Sequence, residues 1–408
     1  MSGAHLAGVA RPFIRAARVR RRLRIQGQQA GSTKGRTRSL TACPWSAANG
    51  VAARITLAAL MSGAGLAGVG GCDPAAPAVR ERSRIGIVKT GDDVRLTGLT
   101  ALCGWGEGRD NTFMHCLETV VNALGRELDY DELMGLSGMA FRTQFRLGIW
   151  DAGNADPLVG ADRVRPLLEA IGLDYEIGHP DPANLAEFGR ARQSVAASID
   201  YGVPALATNL IPPENWGIIT GYRYKGGQKW WCRTYAPSAR SVDQLATNFP
   251  SALVVLTRVR PRPDLRAARR ASIARAVEMA DRLMVDGYAQ GLRAYDEWCA
   301  MLMRAADREY LHPNAWTYVS LIDARAAAVR YLRRLALEFG DRREHLERAA
   351  EAYVRQRQTL LSALDAVPWP RDAPVGLPSF SVRQKQINAL RAAAQIEAEA
   401  LRNLRAAR

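Results

Sequence analysis

The residues best suited to chemistry lie in one run, Arg109-Asp-Asn-Thr-Phe-Met-His115-Cys116-Leu-Glu-Thr-Val-Val-Asn-Ala-Leu-Gly125. Phe113, Leu117, Val120, Val121 and Leu124 have the spacing of a helix face, and Asp110 and Asn111 are both competent caps ahead of it. A cysteine near a helix start feels the helix dipole and free N–H groups, which stabilise a thiolate. Cys116 is therefore a candidate nucleophile; the alternative is a thiol packed on the helix. Attack by a thiol needs a proton acceptor within hydrogen-bond reach. His115 adjoins Cys116, but consecutive helical side chains point about 100° apart. Glu214 could act as the base if burial raises its pKa, and Pro212 and Pro213 fix its direction. A solvated carboxylate at a strand start is the alternative. His179 precedes Pro180 in a loop, and His312 and His345 lie among helices.

Other motifs carry less. Gly104-Trp-Gly-Glu-Gly108 lacks the spacing and lysine of a phosphate loop, and reads as a tight turn packing Trp105 against the helix start. Gly135-Leu-Ser-Gly138 fails the GxSxG pattern, because Ala140 stands where the second glycine belongs. Tyr288, Tyr295, Trp298, Trp316 and Tyr318 form an aromatic set suited to core packing. Asp296 and Glu297 read as surface charges rather than an acid/base pair. No cysteine or histidine spacing suggests a metal, and no nucleic-acid, haem or flavin signature stands out, so no cofactor is expected.

Two kinds of element must position these residues. After the first helix, Asp162 to Ile171 reads as another, ended by Gly172. A strand series follows: Ser194 to Ile199, Val203 to Thr208, Trp216 to Tyr222, Gln228 to Tyr235 and Ala252 to Val259. Helices first and strands later suggest an α+β region with an antiparallel sheet over 83–262. Residues 263–408 read as all-α: Leu265 to Met284, Leu292 to Met303, a helix capped by Asn314 and running to Phe339, one opened by a capping box of Asp341 with Glu344, and a last one opened by Ser381 with Gln384. Their arginines read as a solvated face balanced by acids at helical spacing.

The His115-Cys116 pair, the glycine after its helix, Gly202-Val-Pro-Ala-Leu, and Pro212-Pro-Glu-Asn-Trp-Gly-Ile-Ile-Thr-Gly221-Tyr222 resemble the C39-like, papain-fold group typified by the N-terminal domain of the butirosin biosynthesis protein H family. The resemblance covers about 100 to 260 and implies a cleft between the helix start and the sheet. It also implies a histidine base near 215, where this chain has Glu214-Asn215-Trp216, and an acid on the next strand, where Trp230-Trp231-Cys232-Arg233-Thr234 offers none. Cys116 stands only 19 residues before Gly135; the family gap of roughly two dozen puts the nucleophile position near Asn111. Asn111, Asn215, Trp216 and Trp105 are then the cleft-lining residues.

The first 71 residues hold eleven Arg and Lys and no acid, which leaves 45 basic against 40 acidic residues from Cys72 onward. The formal charge of +16 thus falls to about +5, and a nucleic-acid partner is not expected. The apolar run Ile55 to Gly68, about fifteen residues, is too short to span a bilayer but suits a secretory signal. It closes on Val69-Gly70-Gly71-Cys72, which resembles the lipobox of bacterial lipoproteins and implies lipidation of Cys72. Residues 1–71 are then an overlong start plus signal peptide, with Val51 a plausible origin, and 72–82 a tether. Outside the cytoplasm, Cys103, Cys116, Cys232 and Cys299 could pair in three ways or stay as core thiols. The expected protein is membrane-anchored in the cell envelope. It carries a degenerate papain-like domain binding a peptide or small molecule; the alternatives are a thiol peptidase or acyltransferase, or a partner-docking lipoprotein presenting the stripe Val382, Ile387, Leu390, Ala394 and Ile396.

Overall fold

An antiparallel sheet organises the first half of the chain, because its strands alternate apolar side chains between two covered faces. The computed structural model describes residues 85–408 except 213–214, 225–228, 236–242, 262, 371 and 374–376. Strands β1 (Gly86–Thr90) and β2 (Asp93–Thr97) form a hairpin. They join β4 (Leu173–Gly178), β5 (Ala205–Thr208), β6 (Trp216–Arg223), β7 (Lys229–Arg233), β8 (Gln244–Leu245) and β9 (Leu253–Val259) in the order β1-β2-β6-β5-β9-β4, with β7 and then β8 continuing from β6. One edge of β6 pairs with β7; the other is shared by β5 along Trp216–Ile219 and β2 along Gly221–Arg223. Gly221 makes this sharing feasible, since a Cβ there would lie 2.2 Å from the Val94 carbonyl oxygen.

Leu206, Ile218, Val254 and Leu256 point to the face covered by α1 (Thr112–Ala123). Their neighbours Ala205, Ala207, Ile219, Leu253 and Val255 point to the opposite face, covered by α4 (Leu185–Asp200) through Val195 and Ile199. The segment Ser194 to Ile199, expected as a strand, is the end of α4. Asn184 caps that helix, and Val195, Ser198 and Ile199 recur at i, i+3 and i+4, so one buried stripe results from a short apolar run. Helices α2 (Tyr130–Ser137) and α3 (Val164–Ala170) complete this half.

Composition changes near 263, but the core does not end there. A small sheet pairs β3 (Gln144–Arg146) with β11 (Tyr288–Gln290) and β11 with β10 (Met284–Val285). One apolar cluster runs from Phe113 and Leu117 through Leu133 and Leu136 to Tyr331, Leu335, Tyr353 and Leu401. The helical half comprises α5 (Arg266–Asp281), α6 (Gly291–Arg304), α7 (Leu311–Glu338), α8 (Arg343–Leu361) and α9 (Phe380–Ala406). The architecture is thus an α+β arrangement, an antiparallel sheet followed by a helical region.

Three expected caps are replaced. Asn314 lies inside α7, where its Oδ1 accepts from Trp298 Nε1 at 2.8 Å. A 3-10 turn over Gly340–Arg342 leads into α8 with no side-chain cap from Asp341. Ser379, not Ser381, caps α9 by accepting from Val382 N–H. The stripe on α9 is not a free face: Ile387 and Leu390 are fully buried against α6 and α7 side chains. Among the described residues no helix is long and apolar enough to cross a membrane.

The arginine pattern also differs from expectation. Arg343–Glu347 and Arg348–Glu344 are i,i+4 pairs along α8. Arg330 and Arg334 of α7 reach instead to Asp131 and Asp129 at the start of α2, with contacts of 2.6 and 2.7 Å. That start is where negative charge also favours the helix dipole.

Candidate functional site

The N-terminus of α1 abuts the start of β6, and polar groups gather at that junction. Asn111 is the N-cap: its Oδ1 accepts from Met114 N–H at 3.1 Å, and its Nδ2 donates to the Ala155 carbonyl at 3.2 Å. Thr112 Oγ1 accepts from Trp216 N–H at 3.3 Å, which ties the helix to the strand. The Trp216 ring packs edge-on against Phe113 and donates from Nε1 to Asp156 at 2.8 Å. Burial raises the Asp156 carboxyl above its ordinary range.

Cys116 lies more than a turn further along α1 and is completely buried in the apolar cluster. Burial pushes its thiol well up, against the direction a nucleophile requires. The expectation of an activated thiol does not fit this placement. His115 is committed elsewhere: its Nε2 accepts from Cys103 N–H at 2.9 Å, which leaves Nδ1 to carry the proton toward Glu118 at 2.9 Å. Glu118 also accepts from Arg109 at 2.8 Å and from Tyr130 N–H at 3.1 Å. Burial alone would raise the Glu118 carboxyl, but hydrogen bonds from His115 and Arg109 outweigh it and hold the group at about 2. His115 thus braces the helix start against the Cys103 loop rather than serving a thiol.

Glu214 lies outside the described residues, as does Cys72. Asn215 is half-buried beside Trp216. Trp105 packs against Tyr235 and Trp316 at ring separations of 4.6 and 4.8 Å, and Gly106 N–H donates to Asp110 Oδ1 at 2.8 Å, so the glycine-rich loop folds over the helix start. All four described cysteines are free thiols. Burial raises Cys232 to about 12 and Cys299 to about 11.

Behind Asn111 lies a group that sequence reasoning missed. Asp323 of α7 is buried; its Oδ2 accepts from Tyr130 Oη–H and, at 3.2 Å, from Asp110 N–H. Tyr130 Oη in turn accepts from Asn111 N–H at 3.0 Å. Asp323 Oδ1 has no hydrogen-bond partner among the described residues. Burial first, and the nearby Asp110 second, lift the Asp323 carboxyl to about 7. The available signal was an acid within the apolar positions Leu321-Ile322-Asp323-Ala324 of a long helix. Its meeting with Asp110, 213 positions away, has no local trace.

Between α1, the turn over Ala152–Ala155, β3 and α7 lies a cavity of about 30 Å³. Asn111, Arg142, Thr143, Gln144, Asn154, Thr317 and Ser320 supply its polar lining, beside apolar groups such as Met134, Met139 and Trp298. Ser320 Oγ is buried without a partner among the described residues. A space of this size takes one or two water molecules or a small polar group. No family model and no curated protein matches this chain.

Proposed function

We propose that this chain is an exported, lipid-anchored binding protein whose sheet-bearing half is a papain-like domain without a working catalytic set. One observation carries the reading: the N-cap of α1, where a thiol enzyme places its nucleophile, holds Asn111 with both ends of its amide engaged. The helix meets the sheet at Thr112 and Trp216, the juxtaposition such a cleft needs. Among the described residues, the candidate nucleophile and its neighbouring histidine are engaged elsewhere. Cys116 is sealed in the core, and His115 is spent on Glu118 and the Cys103 backbone. What remains is hydrogen-bonding capacity: a small cavity of mixed lining next to Asn111, with a Ser320 hydroxyl that has no partner among the described residues. Such a site suits the polar end of a peptide or a small molecule, whose bulk lies outside the cavity. The lipobox-like segment ending at Cys72 supports anchorage at the envelope.

Alkylation of the purified protein with iodoacetamide at pH 7, read by mass spectrometry, tests the non-catalytic assignment. Cys116 is expected to stay unlabelled until the chain is denatured. Labelling faster than in a denatured control overturns it. A thermal-shift screen of short peptides and small amides, repeated on Ser320→Ala, tests the binding site; hits unaffected by the substitution place binding elsewhere.

A further inference from the structure

The helical half carries a groove of about 490 Å³ where the start of α5 meets Arg342 of the turn after α7 and Arg408 beyond the end of α9. Ala267, Ala271 and Ala274 recur at i, i+4 and i+7 along α5 and give the groove an uncharged floor. Arg266, Arg270, Arg342 and Arg408 line it as well, and Asp264 is the acid among the lining residues. Two of these arginines meet an acid from outside the groove: Arg342 Nε lies 3.5 Å from Asp341, and Arg408 Nη2 lies 3.0 Å from Glu278. Arg342 is also fixed in place, because its Nη1 donates to the Ala407 carbonyl at 2.8 Å.

Arg266 and Arg270 differ. Neither guanidinium has an acid partner among the described residues. Both lie over one ring, with their Cζ atoms 5.3 and 5.4 Å from the centre of the buried Phe339 side chain. That contact holds each cation in position but neutralises neither. Like charges at i and i+4 of a helix repel. Asp264 is one carboxylate beside both, and its Oδ1 already accepts from the Arg266 backbone N–H at 2.9 Å. Two held cations thus face a groove whose volume is that of a small-molecule site. A dianion matches them in charge, and guanidinium forks match phosphate oxygens in shape. A phosphate monoester is largely dianionic at neutral pH, since its second ionisation lies at about 6. The alanine floor leaves room for its organic part. We propose that this groove binds a phosphate monoester, with the phosphate on Arg266 and Arg270. The inference is independent of the cleft at α1.

Thermal unfolding of the purified full chain in phosphate-free buffer provides the test. Glycerol 3-phosphate and inorganic phosphate are titrated at ionic strength held constant with chloride. A saturable rise in the midpoint with glycerol 3-phosphate is expected. Arg266→Gln and Arg270→Gln, both at exposed positions, should each weaken the apparent affinity about tenfold. Arg348→Gln, on an exposed pair of α8 outside the groove, should leave it unchanged. Co-sedimentation with phosphatidylcholine vesicles, with and without phosphatidic acid, separates the sources of the ester. Binding that needs phosphatidic acid and is lost in Arg270→Gln assigns a lipid headgroup; a response to glycerol 3-phosphate without vesicle binding assigns a soluble ester. A response to neither ester, or to inorganic phosphate alone, overturns the proposal. So does an equal loss of affinity in Arg348→Gln, or none in the two groove variants.

Discussion

Removing the Glu397 carboxylate should be the most damaging single change to the helical half. Glu397 is 1% exposed at its side chain and Arg325 is 0% exposed. Its Oε2 accepts from Arg325 Nη2 at 2.5 Å, Tyr295 Oη at 2.7 Å and Gln356 Nε2 at 2.8 Å. Arg325 donates further to the Ala140 carbonyl at 2.8 Å and to Gln356 Oε1 at 2.6 Å, which joins α7, α8 and α9 to the turn after α2. The pair's own net value is small, because desolvating two ions offsets much of their attraction. Deleting one partner is different: Glu397→Ala leaves a fully buried cation uncompensated, at a cost of about 3–5 kcal/mol. With a urea dependence of about 3 kcal/mol per molar, the midpoint falls by about 1–1.7 M. Glu397→Gln keeps the shape and loses the charge, and should cost roughly 2 kcal/mol. Arg325→Met with Glu397→Leu removes both ions and should be more stable than Glu397→Ala alone. Urea unfolding followed by circular dichroism measures all three. A Glu397→Ala loss below about 1 kcal/mol, or a double variant less stable than the single one, refutes this reasoning.

Three other perturbations have expected outcomes. The Asp323 carboxyl is raised from 3.8 to about 7 in the folded chain, so the folded state holds its proton where the unfolded state has lost it. Its contribution is complete below about pH 4 and declines as pH rises through about 7. Asp323→Asn mimics the protonated acid; its urea midpoint relative to wild type should therefore rise between pH 4 and 8, and parallel profiles would exclude the buried charge. Asn111→Ala removes the N-cap of α1 and should cost about 1 kcal/mol by the same assay, whereas an unchanged midpoint would mean the cap is replaceable. Gly135→Ala places a Cβ 2.3 Å from the Tyr331 ring, whose hydroxyl is held by Ser272 at 2.8 Å. Overpacking there should cost about 1–3 kcal/mol and be relieved by Tyr331→Leu; simple additivity of the two substitutions would show that they do not meet.

The local signals in the chain were read well where one periodicity dominated. Phe113, Leu117, Val120 and Val121 marked α1, and the runs at 216–222 and 252–259 marked β6 and β9. Val195 and Ile199 could suit a short strand or a helix face, and only packing against the second face of the sheet selects the helix. Capping shows the same limit. Asp341, Ser381 and Asn314 have suitable chemistry, but where each helix starts depends on how far it extends over its neighbours.

What the sequence determined by itself is the periodicity of elements such as α1, β6 and β9 and the α+β order. Those follow from side-chain type and spacing within about twenty residues. Only the tertiary structure decided that Cys116 faces the core, that His115 serves Glu118, and that Asp110, Tyr130 and Asp323 meet behind Asn111. The physical reason is that burial and electrostatic pairing are properties of the packed interior. They depend on which helix face turns inward and on what arrives from hundreds of residues away, and no local pattern encodes that arrival.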